Sequence, residues 1–379
     1  MSKISPEPFK LALKLPKNVI RLSVGEPDFE TPDFVRDAAK RAIDEGWTHY
    51  SPATGLDDLR RAVAEKLRRD NGIKCEYEND VLITPGSSSG IFLALLALVD
   101  PGDEVLVPDP SWFHYTTLVS LCGAKSIPVP LSLEGKSAVD ADEAEKRINE
   151  KTRILILNSP SNPTGIVLSK ENIHSLLELA EKYDLTVISD EVYEKIVYPG
   201  YEHVSPASFS EFKGRVITSN GFSKACAMTG WRVGYLAGPS EIVEKIVALN
   251  GYVLVCASTI SQKAAFTALT DPRMTSAINR MVTQFAARRK LVLESLSEIS
   301  MIEALPPQGT FYTWVNVAET GMTGEKFAYQ LLERERVGVL PGNLFGERGK
   351  DFVRISFAVK EENLRAGLKR FGRFASLKD

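Results

Sequence analysis

Lys224 and Arg232 are the residues whose setting is best suited to chemistry. They lie in SNGFSKACAMTGWRVGYLAG (219–238), among small, apolar and turn-forming residues. Upstream, RVITSN reads as a short strand that ends at the SNGFSK turn, and downstream WRVGYLAG reads as another. A lysine at a strand end in apolar surroundings loses its proton more easily than a surface lysine, because desolvation disfavours the ammonium. That suits an amine that must bond covalently to a carbonyl carbon. The alternative is an ordinary surface-loop lysine. Arg232 is either half of a surface ion pair or a planar fork that clamps a phosphate.

Other candidates sit where strands give way to loops. PGSSSG (85–90) opens an apolar helix, and helix starts bind anions through outward-pointing amide N–H groups. Gly86, Ser87 and Ser88 would form that cradle, although serine also serves as a plain N-cap. Trp112 in SWFHY follows a strand, as either a packing residue or a binding face. Asn162 stands in the loop NSPSNPTG (158–165), where an asparagine is usually an Asx-turn residue. Asp190 and Tyr193 follow the strand in ISDEVY (188–193), with helix capping the ordinary use for such an aspartate. Gly25 permits close backbone approach. Arg354, between Val353 and Ile355 in a strand, either faces solvent at a sheet edge or needs a partner to be buried. Tyr50 by itself reads as a packing residue.

These residues need strands to present them together. The order strand–helix–strand recurs from Asn79 to Gly238: strands at 79–84, 153–157 and 185–189, an apolar helix at 91–98, an amphipathic helix at 170–183. That rhythm predicts a mostly parallel sheet with helices on both faces. In such sheets ligands bind beyond the carboxyl ends of the strands, which would gather Trp112, Asn162, Asp190, Tyr193 and Lys224 at one rim. Further helices are expected at 33–44, with Phe34, Ala38 and Ile43 near one face, at 56–70 and at 239–249. Leu254–Thr270 is expected to continue as helix, followed by a long helix through 271–299 and a last one from Glu361. Strands fall in PQGTFYTWVNV and DFVRISFAV. Residues 1–20 read as an arm and 132–150 as a polar connection with a helix.

The segment NGFSK followed by AMTGWRVGY resembles the active-site lysine segment of the class I/II aminotransferases, the aspartate aminotransferase-like enzymes of fold type I that use pyridoxal 5′-phosphate (PLP). VGEPDF (24–29), YSPATGLDDLR (50–60), NSPSNPTG with ISDEVY, and VRISFA (353–358) match in the same order. The resemblance implies a large PLP-binding domain (46–275) around a mostly parallel seven-stranded sheet, and a smaller α+β domain (1–45 and 276–379).

It also implies roles. Lys224 would hold PLP covalently and move the substrate's α-proton. Asp190 would pair with the pyridine nitrogen, and Tyr193 with the ring oxygen. Trp112 would stack on the ring. Gly86, Ser87, Ser88, Ser223 and Arg232 would bind the phosphate, joined by Tyr50 from the other subunit of a homodimer. Arg354 would hold the substrate carboxylate with Asn162, which would also hydrogen-bond the ring oxygen of PLP, and Gly25 and Trp112 would line the substrate pocket. The family often has a hydroxyl residue where Gly221 stands here, so the backbone amide, Ser219 or Ser223 must take that place. The activity implied is transfer of an amino group from an L-amino acid, with aspartate and 2-oxoglutarate the first expectation. Aromatic or alanine transamination, or a PLP-dependent carbon–sulfur β-lyase reaction, are the alternatives.

Composition sets the outer bounds. With 379 residues, the chain exceeds the size at which one core stops growing. Its net charge of −3, from 46 basic and 49 acidic side chains, gives no bulk attraction to nucleic acid or anionic membrane. The four cysteines form no CxxC pair and the four histidines show no ligand-like spacing, so neither a disulfide framework nor a metal is expected. The longest strongly apolar run, Ile91–Val99, is far short of the ~20 residues that span a bilayer. No leader is expected in Met1–Leu15, and the expectation is a cytoplasmic protein.

Overall fold

The computed structural model describes residue 16 and residues 18–132 and 139–376. Most of the expected arm, and residues 133–138 of the polar connection, lie outside them.

The chain is α/β. Its main sheet has seven strands: β1 (Val81–Thr84), β2 (Glu104–Asp109), β3 (Lys125–Pro130), β4 (Thr152–Asn158), β5 (Thr186–Asp190), β6 (Val216–Gly221) and β7 (Gly234–Ala237). Their spatial order is β1-β7-β6-β5-β4-β2-β3, with β7 antiparallel to both neighbours and every other pairing parallel. Both faces are covered, so the central strands read as continuous apolar runs. In β4, Leu155 and Leu157 enter one core while Ile154 and Ile156 enter the other, as the two-residue period of a strand requires. On the first side lie α1 (Asp33–Asp44), α2 (Asp57–Asn71), α3 (Lys170–Lys182) and α4 (Thr259–Thr270). The second side holds the expected apolar helix, which spans Ser87–Leu98, together with helices His114–Leu121 and Ser240–Val253.

A second core surrounds an antiparallel sheet in the order Leu340–Pro341, Phe352–Ser356, Tyr312–Asn316, Glu303–Leu305. The long helix Arg273–Ser297 and the helices Gly324–Glu335 and Glu361–Ala375 pack on it through Phe285, Val292, Phe327, Leu331, Leu364 and Phe371.

Three expectations need correction. Along α1 the buried stripe is Val35, Ala38, Ala39 and Ala42, whereas Ile43 is exposed; it falls on the flank of the stripe. The strand expected from Asn79 starts at Val81, because Tyr77–Asp80 is a helical turn closed by Asp80 Oδ2 accepting from the Glu76 N–H at 2.8 Å. The helix expected across Leu254–Thr270 is interrupted: Leu254–Ser258 is loop, and a new helix starts at Thr259 under a Ser258 cap. Val255 there takes φ +66°, outside the right-handed helix region. The strand carrying Arg354 lies between two others, which rules out the alternative of a solvent-facing edge.

Candidate active site

Strands β4, β5 and β6 end side by side. Asn158 is in register with Asp190, and Asp190 with Ser219. Their loops, with the one after β2, deliver Trp112, Asn162, Asp190, Tyr193, Ser223 and Lys224 to one cleft of about 270 Å³. Gly25, Ser87, Ser88, Arg232 and Arg354 also line it. Gly86 lies just outside, against Arg232.

Lys224 follows β6 in a tight turn, and its Nζ donates to the Gly25 carbonyl at 2.7 Å. Burial pulls the amine down to about 8; Arg354 and Arg232 push the same way, while Glu26 and Asp190 oppose them. A substantial fraction of this amine is therefore neutral near pH 8, unlike a surface lysine at about 10.4.

Asp190 is buried, and no helix follows it. Desolvation raises its carboxyl to about 6, against hydrogen bonds that favour the carboxylate. The Tyr115 hydroxyl donates to Oδ2 at 2.7 Å and the Val192 N–H to Oδ1 at 3.3 Å. At neutral pH the group is an anion in a dry place, which calls for a cation opposite it.

Arg354 is also buried. Its Nη1 donates to Asn162 Oδ1 at 2.8 Å and its Nη2 to the Ser23 carbonyl at 2.7 Å, while Nε has no partner. The guanidinium lies 4.1 Å from the centre of the Tyr312 ring. Asn162 is held in turn, because its N–H donates to Asn158 Oδ1 at 2.9 Å and Asn158 Nδ2 donates to the Asp190 carbonyl at 3.0 Å. One chain of hydrogen bonds thus ties the arginine to the strand end that carries the carboxylate. Among the described residues no carboxylate forms an ion pair with the guanidinium, and a buried arginine of that kind can take a carboxylate in a charge-assisted pair.

Arg232, in the left-handed region at φ +51°, donates from Nη1 to the Thr229 carbonyl at 2.9 Å. Gly86 caps the start of helix Ser87–Leu98 with φ +85°, and a Cβ there would meet Arg232 Nη2 at 2.6 Å. Glycine lets the guanidinium lie across the helix start, where amide dipoles and arginine charge add for an anion. Of the substitutes considered for a hydroxyl at Gly221, Ser223 lines the cleft, whereas Ser219 donates weakly to the Ser87 carbonyl at 3.5 Å.

Tyr193 shares a 2.8 Å hydrogen bond with Tyr312, and burial pushes its phenol well above the ordinary range. Tyr50 does not join this cleft. It is 83% exposed. Sequence reasoning missed Tyr115, Tyr312 and Asn158. The signal for Tyr115 was its place three residues beyond Trp112 in SWFHY; Tyr312 looked like a core strand residue. It also saw no ligand-like spacing at His203, whose Nε2 lies 2.9 Å from Glu191 Oε2, near Glu194. Lys66 already contacts Glu194 there, so a cation is built in. This buried cluster braces the turn behind Asp190.

The profile described as aminotransferase class I and II matches residues 17–371. The chain is similar to an aspartate aminotransferase of Pyrococcus abyssi, with 42% identity covering 93% of this chain and 91% of the relative. It is 40% identical to aromatic-amino-acid aminotransferase 2 of Thermococcus litoralis, with the same coverage. The crystal structure of an aromatic aminotransferase from Pyrococcus horikoshii superposes with a TM-score of 0.92 at 42% identity, over 95% of this chain and 96% of that one.

Proposed function

The chain belongs to the aminotransferase class I and II family, and we propose that it transfers the amino group of L-aspartate to 2-oxoglutarate with PLP held at Lys224. The observation that carries this reading is the separation of charge in one cleft. A lysine lowered to about 8, a buried carboxylate and two arginines occupy distinct positions around it.

The residues fit the cofactor. The Gly86 cradle under Arg232, with Ser87, Ser88 and Ser223, suits a phosphate dianion. The Asp190 carboxylate, buried with a neutral phenol as donor, suits a protonated ring nitrogen. Trp112 offers an aromatic face, and Tyr193 a hydroxyl for the ring oxygen. When bound, PLP supplies an electrophilic carbon and a ring that accepts electron density from the donor's α-carbon.

The protein's part is placement and proton transfer. Arg354 and Asn162 grip the α-carboxylate as a charge-assisted pair. That grip aims the α-carbon at Lys224, whose Nζ takes its proton and returns one, a general base working near its own pKa. Gly25 closes the same side, since a Cβ there would strike Tyr312 Oη at 2.3 Å. Phenol and tryptophan walls exclude water from the reacting carbon.

The working form is taken to be a homodimer in the cytoplasm, in which Tyr50 reaches the phosphate in a second copy's cleft; its exposure in this chain supports that. The lobes are read as 46–275 and 1–45 with 276–379. Among the described residues, no helix is long and apolar enough to cross a membrane. Aromatic amino acids are the second donor class, favoured by the rings in the cleft wall. A panel of amino donors against 2-oxoglutarate, read by the 2-oxo acid released, tests the proposal. Ammonia and pyruvate release without an acceptor would instead show a lyase.

A further inference from the structure

The function proposed above makes Asp190 the partner of a ring nitrogen, and a carboxylate serves that purpose only if it is held in one direction. Groups on the far face of the sheet can hold it so. Along β5, Ile188 enters one core and Val187 the other. Asp190 therefore leaves the strand on the Ile188 side and Ser189 on the Val187 side. The peptide joining Asp190 to Glu191 is bound from both neighbouring strands. Its carbonyl accepts from Asn158 Nδ2 at 3.0 Å, and its N–H donates to the Ser219 carbonyl at 2.9 Å. The Glu191 side chain is fully buried. Ser189 Oγ donates to its Oε1 at 2.9 Å, Ser205 Oγ donates to its Oε2 at 2.5 Å, and His203 Nε2 lies 2.9 Å from that same Oε2. Asn71 Nδ2 links this group to Glu194, donating to Ser205 Oγ and to Glu194 Oε2, each at 2.7 Å. Lys66 pairs with Glu194 and donates to Asn71 Oδ1 at 2.7 Å.

Glu191, Glu194, His203 and Lys66 do not line the cleft, so they touch nothing bound there. Two buried carboxylates are a costly way to fill space, because apolar side chains of similar volume often stabilise as well or better. Hydrogen bonds differ from apolar contacts in having a direction. We propose that Glu191 is a positioning residue: anchored from behind by Ser189, Ser205 and His203, it aims the Asp190 carboxylate into the cleft, at the ring nitrogen of PLP. The inference rests on the transaminase reading.

The test compares PLP with its carbocyclic analogue, in which C–H replaces the ring nitrogen while aldehyde and phosphate are kept. Both are titrated by calorimetry into wild type, Glu191→Gln, Ser205→Ala and Asp190→Asn. Glu191→Gln keeps the size of the side chain but sets a donor against Ser205 and His203. Ser205→Ala removes one bond and no charge. Wild type is expected to prefer PLP, and Asp190→Asn to lose that preference. Glu191→Gln should lower the PLP-to-analogue affinity ratio about 10-fold, and Ser205→Ala about 3-fold, as suits the loss of one hydrogen bond. A residue that merely packs would weaken both compounds alike. Hydrogen exchange of the Val192 amide, which donates to Asp190 Oδ1 at 3.3 Å, should quicken in the same two variants without cofactor. An unchanged ratio in both variants, or equal losses for PLP and the analogue, overturns the positioning role; should Glu191→Gln not fold, Ser205→Ala decides alone. If wild type does not prefer PLP to the analogue, the pairing of Asp190 with the ring fails, and the transaminase reading with it. Val192 exchange in Ser205→Ala then judges the anchor by itself, quickened in support or unchanged against.

Discussion

The Tyr115 hydroxyl donates a 2.7 Å hydrogen bond to Asp190 Oδ2, and both side chains are closed off from solvent. Tyr115 comes from the helix that follows β2 and Asp190 from the end of β5, 75 residues apart. Burial raises the carboxyl to about 6, and the phenol resists that rise. A hydrogen bond to a charged group contributes about 1.5–3 kcal/mol, so its loss matters at neutral pH. Tyr115→Phe is expected to lift the Asp190 midpoint into the neutral range. NMR titration of carboxyl-labelled, cofactor-free protein reads this directly, and the pH at which PLP affinity rises should move upward with it. An unmoved midpoint would mean that Tyr115 only fills space.

The same group gives stability a pH dependence of known sign. In the fold it keeps its proton to about pH 6, whereas an exposed aspartate loses it near pH 4. Its contribution to stability therefore falls as pH rises across that window. Asp190→Asn is expected to flatten urea-unfolding stability between pH 4 and 6 relative to wild type. A parallel profile would place the carboxyl's titration elsewhere.

Gly86→Ala tests the anion cradle. Its φ of +85° and the 2.6 Å approach of Arg232 Nη2 leave no room for a methyl group. Backbone strain of about 1–2 kcal/mol is expected as a lower melting temperature. PLP affinity should fall further than pyridoxal affinity, because only the former carries the phosphate. Equal losses would disconnect Gly86 and Arg232 from phosphate binding.

Arg354→Ala removes a buried charge whose proposed partner is the substrate carboxylate. Losing one side of such a pair costs about 2–5 kcal/mol, so KM for amino donors should rise by roughly 30-fold or more. PLP affinity should stay within about 3-fold of wild type, a difference of less than 1 kcal/mol. A change confined to cofactor affinity would reassign the arginine.

Much of the sheet was legible because its central strands are buried on both faces and read as apolar runs, as in Thr152–Asn158. The site residues at strand ends, Asp190, Asn162 and Lys224, were legible for a related reason: parallel strands with short loops bring their ends to one rim. What was hidden depends on distant partners. Tyr115 and Tyr312 look like core aromatics until the fold sets them beside Asp190 and Tyr193. The break at Leu254–Ser258 carries no glycine or proline. It is held by Asn250 Nδ2 donating to the Ala53 carbonyl and Thr259 Oγ1 to the His49 carbonyl, each at 2.7 Å. Local periodicity contains none of that.

The account stands on the amine of Lys224, whose neutral form is reached near pH 8. Borohydride reduction of PLP-saturated protein, followed by proteolysis and peptide mass mapping, tests it most directly. The expected result is a single reduced adduct on Lys224, formed more readily at pH 8 than at pH 6. An adduct on a different lysine, or none on saturated protein, contradicts the account.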